Sequence, residues 1–291
     1  MYLLFAMAML TPYTKLHATP AQRVAHLRSK GLVIQRPNVA ARKIELIGYE
    51  RLRIYFLSRR QMGLPGKPFL AGITYQNILR IYECDMALRD ACFAAVGQFE
   101  LLFRNAVSEE LSNRFGSHPY YDVPAFKNPT ANLDALQTFT GVYAKAKDGR
   151  AKHYRQTYSP PALPPIWTLK EFLTFGAATR IFQCLEGSVR TAVAQQFGVG
   201  KDTIFTQWLE CLVDLRNMCA HHDRLFNRSF QKQPSSLTRP PLPTAPRHKL
   251  RAILQCLDHM NAHRGVPTNV EAEVGKIIIR YPEITPAEAG Y

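Results

Sequence analysis

The sequence is poor in the residue patterns that build metal sites and disulfide frameworks. Its six cysteines are scattered along the chain, and no two of them form a Cys-x-x-Cys pair. A zinc site at Cys211 and Cys219, completed by a neighbouring histidine, lacks the paired ligand spacing of structural zinc sites. We therefore expect reduced, buried thiols in a cytoplasmic protein that holds no metal and no cofactor.

Signatures of several catalytic and nucleotide-binding classes are also missing. The chain has no P-loop, no GxGxxG segment, no Ser-His-Asp order of a hydrolase triad and no internal repeat. No apolar run is long enough for a membrane helix. The apolar segment 1–12 is too short to span a bilayer and has no basic residues before it, so we interpret it as an N-terminal extension.

What the sequence has in excess is positive charge. It contains 37 lysines and arginines against 22 aspartates and glutamates, which gives a formal net charge of +15 over 291 residues. Such an excess favours a polyanionic partner, nucleic acid before an acidic membrane surface. Because the basic residues are spread along the chain, we expect a folded basic surface rather than a charged tail.

Apolar residues recur at helical spacing over most of the chain, which predicts an all-α fold. A small N-terminal unit is expected at 13–60, with helices at 20–30 and 39–47 and a strand at 49–58, where apolar and polar residues alternate. This unit is interpreted as winged-helix-like or as a cap on the main helical bundle. The other predicted segments are a helical core at 70–230, a proline-rich linker at 231–247 and C-terminal helices at 248–291, which end in a loose tail.

Residues 73–115 are predicted to be helical, as one helix or as two helices separated at Gly97. Phe93 belongs to its apolar positions. Charged residues at i, i+4 spacing accompany the apolar face, namely Asp85 with Arg89 and Glu100 with Arg104. Because buried charges must be paired, these residues are interpreted as a polar ladder that fixes how helices dock, or as supports of a functional site.

The densest basic run lies at the end of a predicted helix over 131–154. It consists of Lys145, Lys147, Arg150, Lys152 and Arg155. Tyrosine and histidine side chains are interleaved with these residues, and their rings are suited to stacking on unpaired bases. The run is interpreted as an RNA-contacting surface or as an ordinary solvated helix face.

The most informative segment is 202–226, whose apolar spacing predicts one helix without an internal proline or glycine. Arg216 and Asn217 lie at the edge of its apolar stripe, and His221 and His222 follow. A histidine titrates near neutral pH and exchanges a proton, whereas an arginine offers a permanent charge and a fork of donors for a phosphate. This combination suits metal-free cleavage of RNA.

The segment RNMCAHHDRLFNR, which starts at Arg216, resembles the signature of abortive-infection proteins of the AbiD/AbiF type. These proteins belong to the HEPN group of helical ribonucleases, whose mark is R-x4–6-H. Further matches, in the family's order, are Gly48-Tyr49 with Arg51-Leu52, and Pro164–Trp167 with Glu171 and Thr174-Phe175-Gly176. Trp167 and Phe175 are expected in the core. The chain end, Ala289-Gly290-Tyr291, departs from the family's usual tail.

The resemblance implies a HEPN-like helical bundle and a metal-independent endoribonuclease toxin of bacterial anti-phage defence, akin to the HEPN domains of RNA-guided CRISPR effectors. Some relatives are held in check by a structured non-coding RNA antitoxin. Arg216 would stabilise the phosphorane, Asn217 would orient the reacting groups, and either His221 or His222 would carry the proton. Such nucleases use two Arg/His sets, and Arg104-Asn105 is followed by no suitably spaced histidine. The resemblance therefore implies a homodimer with a composite site.

Two other functions remain open on the sequence alone. One is a non-catalytic RNA-binding module or sensor, in which Arg216 and His221 hold a phosphate without cutting the chain. Steep salt dependence of binding without any product would favour it. The other is a helical adaptor for a partner protein, which weak binding to every RNA would favour. No membrane partner is expected.

Overall fold

The computed structural model describes residues 14, 16–158 and 160–291. In these residues the regular structure is helical, and β-pairing is limited to isolated bridges such as that between Val33 and Thr74. The all-α prediction is confirmed. The predicted extension at 1–12 lies outside the described residues. The chain forms two compact units, Met1–Tyr82 and Glu83–Tyr291.

The helices follow one another with short connections in the first unit and in most of the second. The first unit holds α1 (Pro20–Ser29), α2 (Pro37–Ile47), α3 (Tyr49–Leu57) and the start of α4 (Tyr75–Phe115). The second unit continues with α5 (Pro129–Lys145), α6 (Gly149–Thr157), α7 (Ile166–Leu169), α8 (Phe175–Cys184), α9 (Gly187–Gln196), α10 (Asp202–Ala220), α11 (Leu250–His263), α12 (Val270–Arg280) and α13 (Pro286–Ala289). Among the described residues, none of these helices combines the length and apolarity needed to cross a bilayer.

The prediction of a strand at 49–58 is wrong, because this segment forms α3. Leu52, Tyr55 and Phe56 are its buried residues. Their i, i+3, i+4 spacing buries one face of a helix, whereas a strand would bury alternate residues. Gly48, at φ +93°, separates α2 from α3 in a conformation that favours glycine. The described part of the first unit is therefore mainly helical, and its β-pairing consists of the isolated bridges Val33–Thr74 and Arg60–Phe69.

Helix α4 runs for 41 residues without a break at Gly97. Its Phe99 and Phe103 enter an aromatic core with ring centroids 5.3–6.2 Å from their neighbours. The neighbours are Phe175, Phe182, Phe197 and Phe205, all almost fully buried. Burial of a phenylalanine side chain contributes about 1.5–3 kcal/mol. This core fixes the register of α4 against α8 and α10.

The helix predicted over 131–154 is interrupted, and the apolar periodicity over 166–185, which also predicts a helix, is divided as well. The first is divided into α5 and α6, because Asp148 accepts a hydrogen bond from the Arg150 backbone N–H at 2.8 Å and starts a new helix. The second is divided into α7, a 3₁₀ turn at Lys170–Phe172, and α8. Thr174 caps α8 through the Ala177 N–H.

Trp167 is 48% exposed, so its prediction as a core residue is wrong. The short helix α7 buries Ile166 and Leu169, which are three residues apart, and leaves Trp167 on the outer side. Phe175 is 1% exposed, which confirms its prediction as a core residue.

The C-terminal tail is packed, and its prediction as a loose segment is wrong. Thr285 and Glu288 form a capping box that starts α13, and Ala289 is fully buried. The hydroxyl of Tyr291 donates a hydrogen bond to the Glu271 carbonyl on α12. The proline-rich linker also contacts helices, since Trp208 Nε1 donates to the Ser235 carbonyl at 2.7 Å.

Candidate functional site

The centre of the candidate site is a cluster of charges between α4 and α10. One carboxylate oxygen of Glu100 lies 3.7 Å from Arg216 Nε, and the other lies 3.7 Å from a terminal nitrogen of Arg104. Glu100 is 8% exposed, whereas the Arg216 side chain is 30% exposed. A buried carboxylate therefore holds Arg216 in place while part of the guanidinium remains accessible to a ligand.

Two further contacts restrict the Arg216 guanidinium. Its central carbon lies 5.9 Å from the ring centroid of Phe93, and a terminal nitrogen lies 3.5 Å from the side-chain oxygen of Asn217. A cation over an aromatic face contributes about 0.5–1 kcal/mol at exposed sites. The sequence predicts Phe93 as part of the apolar face of its helix, but the residue is 44% exposed and contacts Arg216. It was therefore missed as a site residue. The sequence does contain a signal for the exposure of Phe93. It follows buried Cys92 directly, and one residue turns by about 100° around the helix, away from the buried face.

Arg104 is committed to the protein's own backbone. Its guanidinium donates to the Leu173 carbonyl at 2.7 Å and to the Lys170 carbonyl at 3.4 Å. Lys170 in turn donates to the side-chain oxygen of Asn105. These contacts attach the turn after α7 to α4, so Arg104 acts on the site by fixing Glu100 and this turn.

The two histidines lie just beyond the end of α10. His221 is the C-cap, and its N–H donates to the Asn217 carbonyl at 2.9 Å, which continues the helical hydrogen bonding. Its side chain therefore follows Asn217 on the same helix face. The His221 ring is exposed and has no hydrogen-bond or ion-pair partner within the part of the chain that the structure describes.

His222 occupies a left-handed backbone conformation with φ +58°. Its N–H donates to the Cys219 carbonyl at 3.1 Å, and the N–H of Asp223 donates to the Met218 carbonyl at 2.8 Å. This pair of bonds is the Schellman motif, in which glycine is the usual residue at the His222 position. A β-carbon in this conformation costs about 1 kcal/mol, so the sequence places a histidine where the backbone favours glycine.

Asp85 and Arg89 fix the segment that follows the histidines. The fully buried Asp85 carboxylate accepts hydrogen bonds from the backbone N–H groups of Leu225 at 2.9 Å and Phe226 at 2.7 Å. It also pairs with Arg89, which is 4% exposed. The Arg89 guanidinium approaches the Asp223 carbonyl at 3.5 Å. Asp85 and Arg89 were interpreted either as a polar ladder or as supports of a functional site. Their contacts match the polar ladder, because they dock the segment after the histidines on α4.

The cysteines near this junction are buried. Burial raises the pKa of the Cys219 thiol on α10 to about 12, and it raises the pKa of Cys92 on α4 as well. Five of the six cysteines are buried, as predicted, and Cys184 is half-buried. Within the described residues, no three His, Cys, Asp or Glu side chains are grouped as the ligands of a metal ion would be.

The predicted RNA-contacting residues divide into exposed and engaged side chains. Lys145, Lys147 and Lys152 are exposed. Arg155 instead caps α5, because it donates to the carbonyls of Ala146 at 3.0 Å and of Tyr143. Arg150 is an intermediate case, with a two-point contact to Asp148 at 2.9 and 3.2 Å.

An aromatic cavity of about 640 Å³ lies beside this basic segment. The face of α6 that carries Arg150, His153 and Tyr154 lines it, together with Tyr158. The rings of Tyr154 and Tyr158 have centroids 5.2 Å apart, and Tyr158 is 53% exposed. Such a surface offers flat rings next to positive charge, which suits the bases of a single strand.

The turn Lys170–Phe172 connects the basic segment to the charge cluster. Glu171 lies 3.8 Å from Arg150, and the Phe172 ring lies 5.8 Å from the Arg150 guanidinium carbon. The same turn accepts hydrogen bonds from Arg104. Glu100, Arg104, Arg216 and Asn217 thus form one contiguous cluster, and a short run of contacts joins it to Arg150.

Together with His221, the cluster presents one restrained guanidinium, one amide and one exposed imidazole. A family model described as Abi-like protein matches residues 42–227. Neither the curated proteins nor the solved structures yielded a match.

Proposed function

The chain belongs to the Abi-like protein family, whose name points to abortive infection in phage defence, and from this membership and the Arg216 cluster we propose that it is a metal-independent HEPN-type endoribonuclease toxin. It would act in the cytoplasm, with a structured non-coding RNA as its antitoxin. The observation that carries the proposal is the arrangement of Arg216 and His221. A buried carboxylate restrains the arginine, and the exposed histidine follows Asn217 on the same face.

The proposed reaction is attack of a ribose 2′-oxygen on its neighbouring phosphorus. His221 accepts the 2′-hydroxyl proton as the 2′-O–P bond forms, and Arg216 stabilises the added negative charge on the phosphorane. The P–O5′ bond then breaks, and a proton returns to the 5′-oxygen. The products are a 2′,3′-cyclic phosphate and a 5′-hydroxyl end. Asn217 orients Arg216 through the contact at 3.5 Å.

One chain supplies one Arg/His set, so the proposal includes a homodimer in which two sets face one phosphate. The second histidine would then donate the proton that the first histidine cannot supply in the same step. Sedimentation analysis alongside the cleavage assay tests this part. A strictly monomeric protein that still cleaves RNA would contradict the composite site.

The exposed lysines and the aromatic cavity support RNA as the substrate. Lys145, Lys147 and Lys152 offer charges for backbone phosphates, and Tyr158 offers a ring for an unpaired base. Arg150 contacts Glu171 and Phe172, and Arg104 contacts Lys170 of the same turn, so a short run of contacts joins this surface to the charge cluster. A strand bound along α6 would therefore be held by the same rigid region as the cleaved phosphate.

The deciding experiment incubates the purified protein with mixed cellular RNA in EDTA and sequences the new ends. Arg216→Ala and His221→Ala are compared with Arg180→Ala, which removes an equally charged but exposed side chain from α8. We expect cyclic-phosphate ends from the parent and from Arg180→Ala, and none from the other two variants. Cleavage that requires added metal, or that survives in Arg216→Ala, would refute the mechanism.

A protein that binds RNA with steep salt dependence but yields no new ends would be the non-catalytic binding module instead. To make that result decisive, the preparation is first freed of co-purified RNA, because a bound antitoxin would also silence the enzyme. Absorbance at 260 relative to 280 nm, followed on the anion-exchange column, reports whether such RNA is present.

A further inference from the structure

The first unit contains a cavity of about 620 Å³ whose lining is strongly cationic. Its basic side chains are Arg23, His26, Arg53, Arg60 and Lys67. The acidic side chain in the lining is Glu50, which pairs with Arg53 at 3.0 Å. This leaves three permanent positive charges without an acidic partner in the lining. The volume lies within the usual range of small-molecule sites.

Two of these arginines are fixed by stacking and not by hydrogen bonds. The Arg23 guanidinium carbon lies 4.4 Å from the ring centroid of Tyr49, and that of Arg60 lies 4.5 Å from the centroid of Phe69. Neither side chain has a hydrogen-bond or ion-pair partner among residues 14, 16–158 and 160–291. The Arg60 Nε atom is buried and unsatisfied. Stacking orients both guanidinium planes while their donors remain available.

The positive potential of the cavity is visible in its titrating groups. Burial, followed by the charges of Arg60, Lys30 and Arg23, lowers the pKa of His26. Burial lowers the pKa of Arg60, and the positive charge of Arg53 lowers it further. Cations that repel one another in a half-enclosed space are costly unless an anion joins them.

We propose that this cavity binds a phosphate group of a nucleotide, because two oriented guanidinium forks and Lys67 match a doubly charged phosphate, and the half-exposed ring of Tyr49 also lines the cavity. The phosphate comes from the end of an RNA strand or from a free nucleotide. The site lies outside the Arg216 cluster and does not depend on cleavage. It is therefore a separate binding function of the first unit.

The test measures binding with probes that the proposed nuclease cannot cut. Short 2′-O-methyl oligonucleotides, one with a 5′-phosphate and one with a 5′-hydroxyl, lack the attacking hydroxyl group. They are labelled at the 3′ end and followed by fluorescence anisotropy. Adenosine 5′-monophosphate and inorganic phosphate are tested as competitors and in thermal shift.

Two variants remove cavity charge in different ways. Arg60→Gln removes the stacked guanidinium, and Lys67→Gly removes a lysine whose φ of +48° suits glycine, so the second variant is not expected to harm folding. Arg28→Gln is the matched control, because it removes one charge from an exposed position of α1 outside the cavity.

We expect each cavity variant to weaken binding of a phosphate-bearing probe about tenfold, with Arg28→Gln unchanged. A preference for the 5′-phosphorylated strand that disappears in the variants identifies a strand end as the source. Equal binding of both strands identifies a free nucleotide if adenosine monophosphate competes for binding to and thermally stabilises the parent and Arg28→Gln but not the cavity variants. If the cavity variants bind every probe as Arg28→Gln does, the proposal is overturned.

Discussion

The carboxylate of Glu100 and the Nε atom of Arg216 lie 3.7 Å apart, and only the arginine is substantially exposed. This relationship joins the middle of α4 to the end of α10. Glu100 also lies 3.7 Å from Arg104, so one carboxylate serves two guanidinium groups. The cluster retains one net positive charge, and Arg104 is occupied by backbone carbonyls. The charge available to a phosphate is therefore that of Arg216.

Replacing Glu100 by glutamine is expected to slow RNA cleavage about tenfold, because Arg216 loses the partner that restrains it. The contact is an ion pair at 3.7 Å, and solvent screens it in part because the Arg216 side chain is 30% exposed. Single-turnover kinetics should show a lower cleavage rate with little change in RNA affinity. Glu109→Gln, an exposed position on the same helix, is the control. A Glu100→Gln enzyme of full activity would show that Arg216 needs no such restraint.

Replacing Asp85 by asparagine is expected to destabilise the protein by about 3–5 kcal/mol, because Arg89 becomes a buried charge without its carboxylate. The backbone N–H groups of Leu225 and Phe226 also lose an ionised acceptor. Urea unfolding measures the difference, with Asp90→Asn at an exposed position of α4 as the control. Equal unfolding midpoints for the two variants would contradict this role of Asp85.

Replacing His222 by glycine tests which histidine carries the proton. Glycine suits the left-handed conformation at this position and relieves about 1 kcal/mol of backbone strain, against which any lost side-chain contact is set. We expect cleavage to persist in His222→Gly and to be absent in His221→Ala. The reverse pattern of new RNA ends would assign the proton transfer to His222.

Removing three exposed lysines is expected to flatten the salt dependence of RNA binding. In Lys145→Gln, Lys147→Gln and Lys152→Gln combined, the slope of log Kd against log salt should fall by about 0.7 for each lysine that contacts a phosphate. Lys127→Gln, also exposed, provides the single-charge comparison. An unchanged slope in the triple variant would remove this segment from the RNA path.

The buried thiols predict a loss of stability at alkaline pH. Cys211 and Cys219 have pKa values of about 12 in the folded protein, against an ordinary value of 9.0. Each holds a proton that the unfolded chain releases above that ordinary value, so the contribution of each thiol to stability is fully present below about pH 9 and is lost as the pH rises toward 12. Urea midpoints at pH 7, 9 and 10 follow this fall. The fall should be smaller in Cys219→Ala, and an equal fall would assign it to other groups.

Much of the site was predictable because it lies on regular helices. The i, i+4 pairing of Glu100 with Arg104 follows from helix geometry, as does the position of Arg216 at the edge of a buried stripe. What periodicity cannot give is contact between helices. The pairing of Glu100 with Arg216, and the exposure of Phe93 beneath that arginine, depend on how α4 and α10 dock.

Elements with short or mixed patterns were predicted less well, for identifiable reasons. Residues 49–58 alternate well enough for a strand, but burial of Leu52, Tyr55 and Phe56 on one side selects a helix. The left-handed conformation at His222 could not be predicted from the sequence, because glycine is the residue that usually indicates such a helix end. The cationic cavity of the first unit joins residues from three separated segments, and no local pattern shows that they meet.

Because α4 is one uninterrupted helix, the number of residues between its side chains fixes their relative positions at the site. Asp85 and Arg104 are 19 positions apart, which corresponds to about 28 Å along a straight helix. Insertion of a single residue between Arg89 and Glu100 would leave the contacts of Asp85 and Arg89 with the segment 223–226 unchanged. It would also turn Glu100 by about 100° away from Arg216. Natural variation in the length of this interval is therefore expected to be absent among active members, whereas the loops on either side of α4 are free to vary.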